Sequence, residues 1–100
     1  MARAFSHPAA KDISIDGVLY ALSDPARRAI VAKLMKCPDA GMSCSKACKD
    51  LSPSTVSFHY KILRESGIIR SEKVGVEVMN TVRCDELNKR FPGLLTAILR

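Results

Sequence analysis

The stretch from residue 52 to residue 67 constrains the fold more than any other part of this sequence. Ser52 can cap a helix, and Pro53 suits the first helical position because its missing N–H costs nothing there. Gly67 suits the left-handed residue that commonly follows a helix. These signals predict a helix that runs through Leu63 and Arg64 to Gly67.

Two helices are predicted near the start of the chain. Apolar residues recur at helical spacing over residues 13–22, with Gly17 as a weak point inside that helix. A capping side chain followed by proline in Ser23-Asp24-Pro25 predicts the start of a second helix, which ends near Lys36. The apolar stripe of this second helix consists of Ala26, Ile30, Val31 and Leu34.

A short third helix is predicted directly before residue 52. Residues 37–42 are typical of a loop, and Ser43 or Ser45 can cap a helix in which Cys44, Ala47 and Cys48 share one face. Two short helices joined by a tight turn are a helix-turn-helix candidate.

The pattern changes to that of a β-hairpin after Gly67. Ile68 and Ile69 open a β-type segment, Gly75 suits a turn, and the valines at 76, 78 and 82 alternate with polar residues, which predicts two antiparallel strands. Asp85 can start another helix, and residues 91–93 interrupt it before a last apolar stretch at 94–99. The predicted fold is mainly α with a small β-hairpin, a winged helix-turn-helix of order α-α-α-α-β-β-α.

The length and composition of the chain limit the number of domains and the class of protein. A chain of 100 residues with 47% hydrophobic and 26% charged residues suits one globular domain, without an apolar run long enough to cross a bilayer. We expect residues 1–11 to be a flexible N-terminal arm and residues 12–100 to be the winged-helix domain. No signal peptide is recognisable, so a cytoplasmic location is expected. The net charge of +6 favours a polyanionic partner.

A helical wheel at 100° per residue divides the helix after Ser52 into two faces. Val56, Tyr60 and Leu63 share one narrow sector that is expected to be buried. The opposite side holds Ser54, Ser57, Phe58, Lys61 and Glu65, and the first four of these are here called the reading face. Arg64 lies next to Ser57, with Thr55 and His59 on a flank, and Arg64 and Thr55 are also expected to contact DNA.

The reading face has the chemistry of a surface that contacts double-stranded DNA. Hydroxyl groups can bond base edges or phosphates, Phe58 can touch a thymine methyl group, and Lys61 can neutralise a phosphate or reach a guanine. For His59 two interpretations stay open, a residue at the edge of the core or a phosphate contact.

Three stretches resemble the ArsR-type (ArsR/SmtB-like) bacterial winged-helix repressors. They are residues 21–28 (ALSDPARR), 54–69 (STVSFHYKILRESGII) and 87–95 (LNKRFPGLL). The resemblance extends from about residue 14 to the end of the chain. It implies a homodimer built from the first and last helices, repression by operator binding, and in many members release by a metal or another signal. It also implies that Ser54, Ser57 and His59 lie in a recognition helix and that the strands around Lys73 and Gly75 form the wing.

Two positions depart from the family pattern. Pro53 stands where the family often has a polar residue, which removes one possible base contact. Val76 and Glu77 follow Gly75 where the family commonly has Arg or Lys, so Lys73 and Arg70 are the only nearby cations and a wing contact with DNA is weakened.

The cysteines allow two interpretations. Cys37, Cys44 and Cys48 can act as a thiol-based metal or redox sensor, since Cys44 and Cys48 are one helical turn apart. The spacing of the family's thiol site is absent, however, and free cysteine is often buried, which favours packing in the core over sensing. No metal or other cofactor is therefore expected. His7 in the arm is expected to be solvated.

A different class of function stays open. Winged helices can dock proteins instead of DNA, in which case Phe58 would be an exposed anchor. An enzyme is not expected, because no phosphate loop, carboxylate pair or nucleophile-base pair is recognisable.

Overall fold

The computed structural model describes residues 5–36, 42–43 and 51–99. Side chains are described in the first and the last of these ranges. A short 3₁₀ helix (Ala10–Asp12) is followed by helices α1 (Ile15–Ala21) and α2 (Pro25–Met35), strand β1 (Met42–Ser43), helix α3 (Pro53–Glu65), strands β2 (Ile69–Val74) and β3 (Glu77–Val82), and helices α4 (Cys84–Arg90) and α5 (Leu94–Leu99). The predicted fold class, mainly α with a β-hairpin, is confirmed. The predicted third helix lies outside the described residues.

The helix starts follow the local signals in the sequence. The Asp24 carboxylate accepts hydrogen bonds from the backbone N–H groups of Ala26 at 2.8 Å and Arg27 at 3.1 Å, and these bonds lower the pKa of Asp24. Ser52 accepts from the Thr55 N–H at 3.3 Å, ahead of Pro53. Both predicted starts are therefore confirmed.

The sheet has three antiparallel strands in the order β1-β3-β2. Ser71 lies opposite Asn80 in the β2–β3 hairpin, and Met42 lies opposite Asn80 on its other side. The prediction that Met42 belongs to a loop is therefore wrong. A two-residue strand has no periodicity of its own, and only its pairing with β3 defines it.

The core joins the described α-helices to the hairpin. Its fully buried members include Val18, Val31, Leu34, Leu63, Ile68 and Ile69. One correction concerns α2, where Arg27 is buried at 5% exposure while Ala26 is only half-buried. Arg27, and not Ala26, is thus the first residue of the buried stripe.

A polar pair lies inside the hairpin. Asn80 is fully buried and Ser71 is 4% exposed, and the Ser71 hydroxyl donates to Asn80 Oδ1 at 2.6 Å. Buried polar groups are stable when they are hydrogen-bonded. This pair therefore ties the two strands together at the point where the sheet meets α3.

Within the described ranges, no helix combines the length and the apolar character that a membrane crossing requires.

Candidate nucleic-acid interface

Helix α3 has the two faces that the wheel predicts. Val56, Tyr60 and Leu63 are 8%, 1% and 0% exposed. These side chains fix the helix on the core. The opposite side of the helix is therefore turned to the solvent.

All four residues of the reading face are exposed. Ser54, Ser57, Phe58 and Lys61 form one stripe along α3, and the Phe58 ring is 56% exposed. From Ser54 to Lys61 the helix rises by about 10 Å, close to the ~12 Å width of the DNA major groove. The stripe thus has the length and the polar character for contact with base edges.

Thr55 is engaged by the cap of the helix. Its hydroxyl accepts a hydrogen bond from the Ser52 hydroxyl at 2.8 Å, and the side chain is half-buried. The structure places Thr55 on the flank of α3, as predicted, and gives it a structural partner there.

His59 lies on the buried side of that flank. It is 7% exposed, and its Nδ1 is 3.3 Å from an Nη atom of Arg27 in α2. Of the two interpretations of His59, the structure supports the residue at the edge of the core. A phosphate could not reach an imidazole that is enclosed in this way.

Arg64 is held within the protein. Its guanidinium lies 4.6 Å from the ring centroid of Phe5 and donates to the Ser71 hydroxyl at 3.4 Å. These two partners come from the arm and from β2, so the guanidinium of Arg64 is already engaged by contacts within the protein.

The wing presents a tip without cations. Lys73 is exposed near the end of β2, the turn contains Gly75 at a φ of 64°, and Val76 at the tip is 96% exposed. Glu77 follows directly. Lys73 is therefore the exposed cation nearest the tip, and it remains a predicted DNA contact.

The N-terminal arm lies along the sheet edge and the end of α3. His7 Nε2 accepts a hydrogen bond from the Ser71 backbone N–H at 2.9 Å, and Arg83 donates to the Pro8 carbonyl at 2.9 Å. His7 is half-buried, so the expectation that it is solvated is wrong. Burial, followed by the positive charges of Arg70, Arg83 and Arg64, lowers the pKa of His7 below its ordinary value of 6.5.

The arm forms one wall of an open cleft of about 770 Å³ beside the reading face. Residues of both walls line it: Phe5, Ser6, His7, Pro8, Lys61, Arg64 and Glu65. Lys61 thus belongs both to the reading face and to the cleft. The flexibility predicted for residues 1–11 stays a prediction, but residues 5–10 make defined contacts.

Two buried arginines were not recognised from the sequence. Arg83 is 6% exposed and donates from Nε and Nη2 to the two carboxylate oxygens of Glu86, at 2.9 and 2.8 Å. The bonds from Arg83 lower the pKa of Glu86. For Arg27 a signal existed, since it stands three residues before Ile30 on the buried stripe of α2.

No group of three or more metal-ligating side chains occurs within residues 5–36, 42–43 and 51–99. Cys37, Cys44 and Cys48 lie outside these ranges, so the thiol-sensor hypothesis stays a prediction. Cys84 is half-buried, and burial, together with the nearby Asp85, raises the pKa of its thiol. A raised pKa disfavours the reactive thiolate.

Helix α3 and the β2–β3 hairpin, which pack on a core shared with α1 and α2, have the architecture of a winged helix-turn-helix. The family model of the helix-turn-helix domain matches residues 22–72. The chain belongs to this family and is a DNA-binding transcriptional regulator of the ArsR type.

Individual proteins show the same relationship. The uncharacterized HTH-type transcriptional regulator YceK of Bacillus subtilis (strain 168) is 29% identical over 87 residues, which is 81% of this chain and 82% of YceK. The crystal structure of an ArsR family transcriptional regulator superposes with a TM-score of 0.67 at 25% identity, covering 83% of this chain and 90% of the other. The transcriptional repressor BigR from Xylella fastidiosa has the same fold, with a TM-score of 0.65, 21% identity and coverage of 84% and 81%.

Proposed function

We propose that this protein is a cytoplasmic, non-enzymatic repressor that binds operator DNA as a homodimer through the reading face of α3. The observation that carries the proposal is the exposure of Ser54, Ser57, Phe58 and Lys61 on a helix whose opposite side is buried. Occupying an operator would then block transcription, as the resemblance to ArsR-type repressors implies.

The chemistry of the reading face supports both specificity and affinity. The hydroxyls of Ser54 and Ser57 can donate or accept at base edges, and Phe58 offers an apolar surface for a thymine methyl group. Lys61 supplies a positive charge at the far end of the stripe. The net charge of +6 adds a long-range attraction to the phosphate backbone.

Exposed apolar residues on α1 support the homodimer. Ile15 and Leu19 are 40% and 47% exposed and stand one helical turn apart. In α5, Leu94, Ile98 and Leu99 are only partly buried. Large apolar side chains that remain exposed on neighbouring turns of a helix are typical of protein interfaces. We expect Leu19→Glu to shift the protein from dimer to monomer in sedimentation equilibrium, and an unchanged mass would contradict this interface.

A DNA-binding titration tests the proposal. The duplex upstream of the protein's own gene is compared with a scrambled duplex of equal length, in a series of salt concentrations. We expect tighter binding to the natural sequence and a linear fall of log K with log salt concentration. Absence of both would overturn the proposal, and a stable protein complex that buries Phe58 would instead support the protein-docking alternative.

Lys61→Ala locates the contact on α3. If Lys61 neutralises one phosphate, the variant should reduce the salt slope by about one unit. Lys89→Ala is the matched control, because it removes the same charge from an exposed position on α4. An equal loss of slope in both variants would contradict a specific contact at Lys61. An unchanged slope with altered sequence preference would mean that Lys61 contacts a base.

A further inference from the structure

We propose that Arg27 and His59 are positioning residues, which lock helix α3 in its rotational setting and hold Phe58 on the reading face without touching DNA. The inference rests on the proposed use of that face for DNA binding. It assigns to His59 a role different from a DNA contact.

The first observation is how the Arg27 guanidinium is held. It donates from Nε to the Ala21 carbonyl at 2.7 Å and from Nη2 to the Tyr20 carbonyl at 3.4 Å, both in the last turn of α1. The remaining nitrogen of the guanidinium, Nη1, lies 3.3 Å from His59 Nδ1. Because Arg27 lies in the first turn of α2, this one side chain connects three helices.

The direction of the bond to His59 follows from the chemistry of arginine. A guanidinium only donates hydrogen bonds, so His59 Nδ1 must be the acceptor. The imidazole is therefore in the tautomer that carries its proton on Nε2. Arg27 is only 5% exposed, so loss of this acceptor would leave the Nη1 group of a buried positive charge without a hydrogen-bond partner in the direction of His59.

The contact continues to the reading face. The rings of His59 and Phe58 have their centroids 5.9 Å apart at an angle of 54°. On the other side, the Arg27 guanidinium lies 5.4 Å from the ring centroid of Tyr20, which is 60% exposed on α1. A continuous series of contacts thus joins the surface of α1 to the surface that would meet DNA.

This series controls rotation better than the apolar face of α3 can. Burial of Val56, Tyr60 and Leu63 is nearly non-directional, so it tolerates a small turn of the helix. A turn of about 20° moves a side-chain tip, about 5–6 Å from the helix axis, by about 2 Å. Such a movement would break the bond to Arg27, whose strength depends on distance and angle.

Two variants of His59 test the inference. His59→Leu removes the acceptor and keeps an apolar side chain, whereas His59→Asn keeps an oxygen acceptor near the position of Nδ1. We expect His59→Leu to weaken binding to the upstream duplex about tenfold, with an unchanged salt slope. His59→Asn should restore the affinity to within about threefold of the wild type.

Three results would overturn the inference. The first is equal affinity of His59→Leu and the wild type for the upstream duplex. The second is a loss of about one unit of salt slope in His59→Leu, because that loss would mean that His59 contacts a phosphate. The third is a failure of His59→Asn to restore the affinity. If the wild type itself does not bind DNA, the proposed function fails, which is distinguishable from these outcomes.

A spectroscopic measurement on the wild type does not depend on any variant folding. Long-range ¹⁵N–¹H correlation of the His59 ring should show Nδ1 without a proton and Nε2 with one. A proton on Nδ1 of the folded protein would overturn the proposed bond. Arg27→Lys should also weaken DNA binding, and the double variant with His59→Leu should be no weaker than the poorer single variant, because both remove the same interaction.

Discussion

Gly67→Ala should strongly destabilise the protein, because two separate costs coincide at this residue. Gly67 has a φ of +88°, a conformation in which an L side chain costs about 1–2 kcal/mol. In addition, an added Cβ would overlap with Cγ1 of Ile13 and would lie 2.7 Å from its Cδ1. Ile13 is 1% exposed in the core and has little room to move.

The expected size of the effect follows from these two costs. Inserting a methyl group into a packed core costs about 1–3 kcal/mol. Together with the backbone strain, Gly67→Ala should lower the free energy of unfolding by about 2–5 kcal/mol. A domain of this size has a total of about 5–15 kcal/mol, so partial unfolding at ambient temperature is possible.

Urea unfolding followed by circular dichroism measures the change, and Gly75→Ala is the matched control. Gly75 also has a positive φ, of +64°, but an added Cβ there would meet nothing within 4 Å. This control should therefore lose only about 1–2 kcal/mol. Equal losses in the two variants would refute the argument from the Ile13 contact. Replacing Ile13 by Ala in the Gly67→Ala background should make the two changes less than additive.

Two further predictions concern the arm and the hairpin. His7 has a lowered pKa, so as the pH falls below 6.5 the unfolded chain takes up the proton first and the stability contributed by the neutral imidazole is lost. Protonation also removes the acceptor for the Ser71 N–H, so the protection factor of this amide, which is the exchange rate of an unfolded chain at the same pH divided by the observed rate, should fall at low pH. In His7→Gln, whose side chain does not titrate, this fall should be absent, and its persistence would contradict the proposed cause. Asn80→Ala should lower the free energy of unfolding by about 1–3 kcal/mol in urea titrations, because the buried Ser71 hydroxyl loses its acceptor. A loss below about 0.5 kcal/mol would mean that this pair does not stabilise the hairpin.

Local signals in the sequence determined the helix starts and the two faces of α3. Ser52 and Pro53 act within one turn of the residues that they cap, and Val56, Tyr60 and Leu63 are placed on one side by helical geometry alone. The winged helix-turn-helix followed from the order of these elements. For such features, the information lies within a few residues along the chain.

Only the tertiary structure decided which polar residues are enclosed. Arg27 and His59 are 32 positions apart, and His7 and Ser71 are 64 apart. The pairing of Met42 with Asn80 is equally non-local. The periodicity of the sequence cannot distinguish an arginine or histidine that is exposed to solvent from one that is buried and hydrogen-bonded to a distant segment of the chain. The exposed stripe of α3 was therefore predictable from the sequence, whereas the burial of His59, the contacts of Arg64 with Phe5 and Ser71, and the docking of the arm depend on contacts that form only when the chain folds.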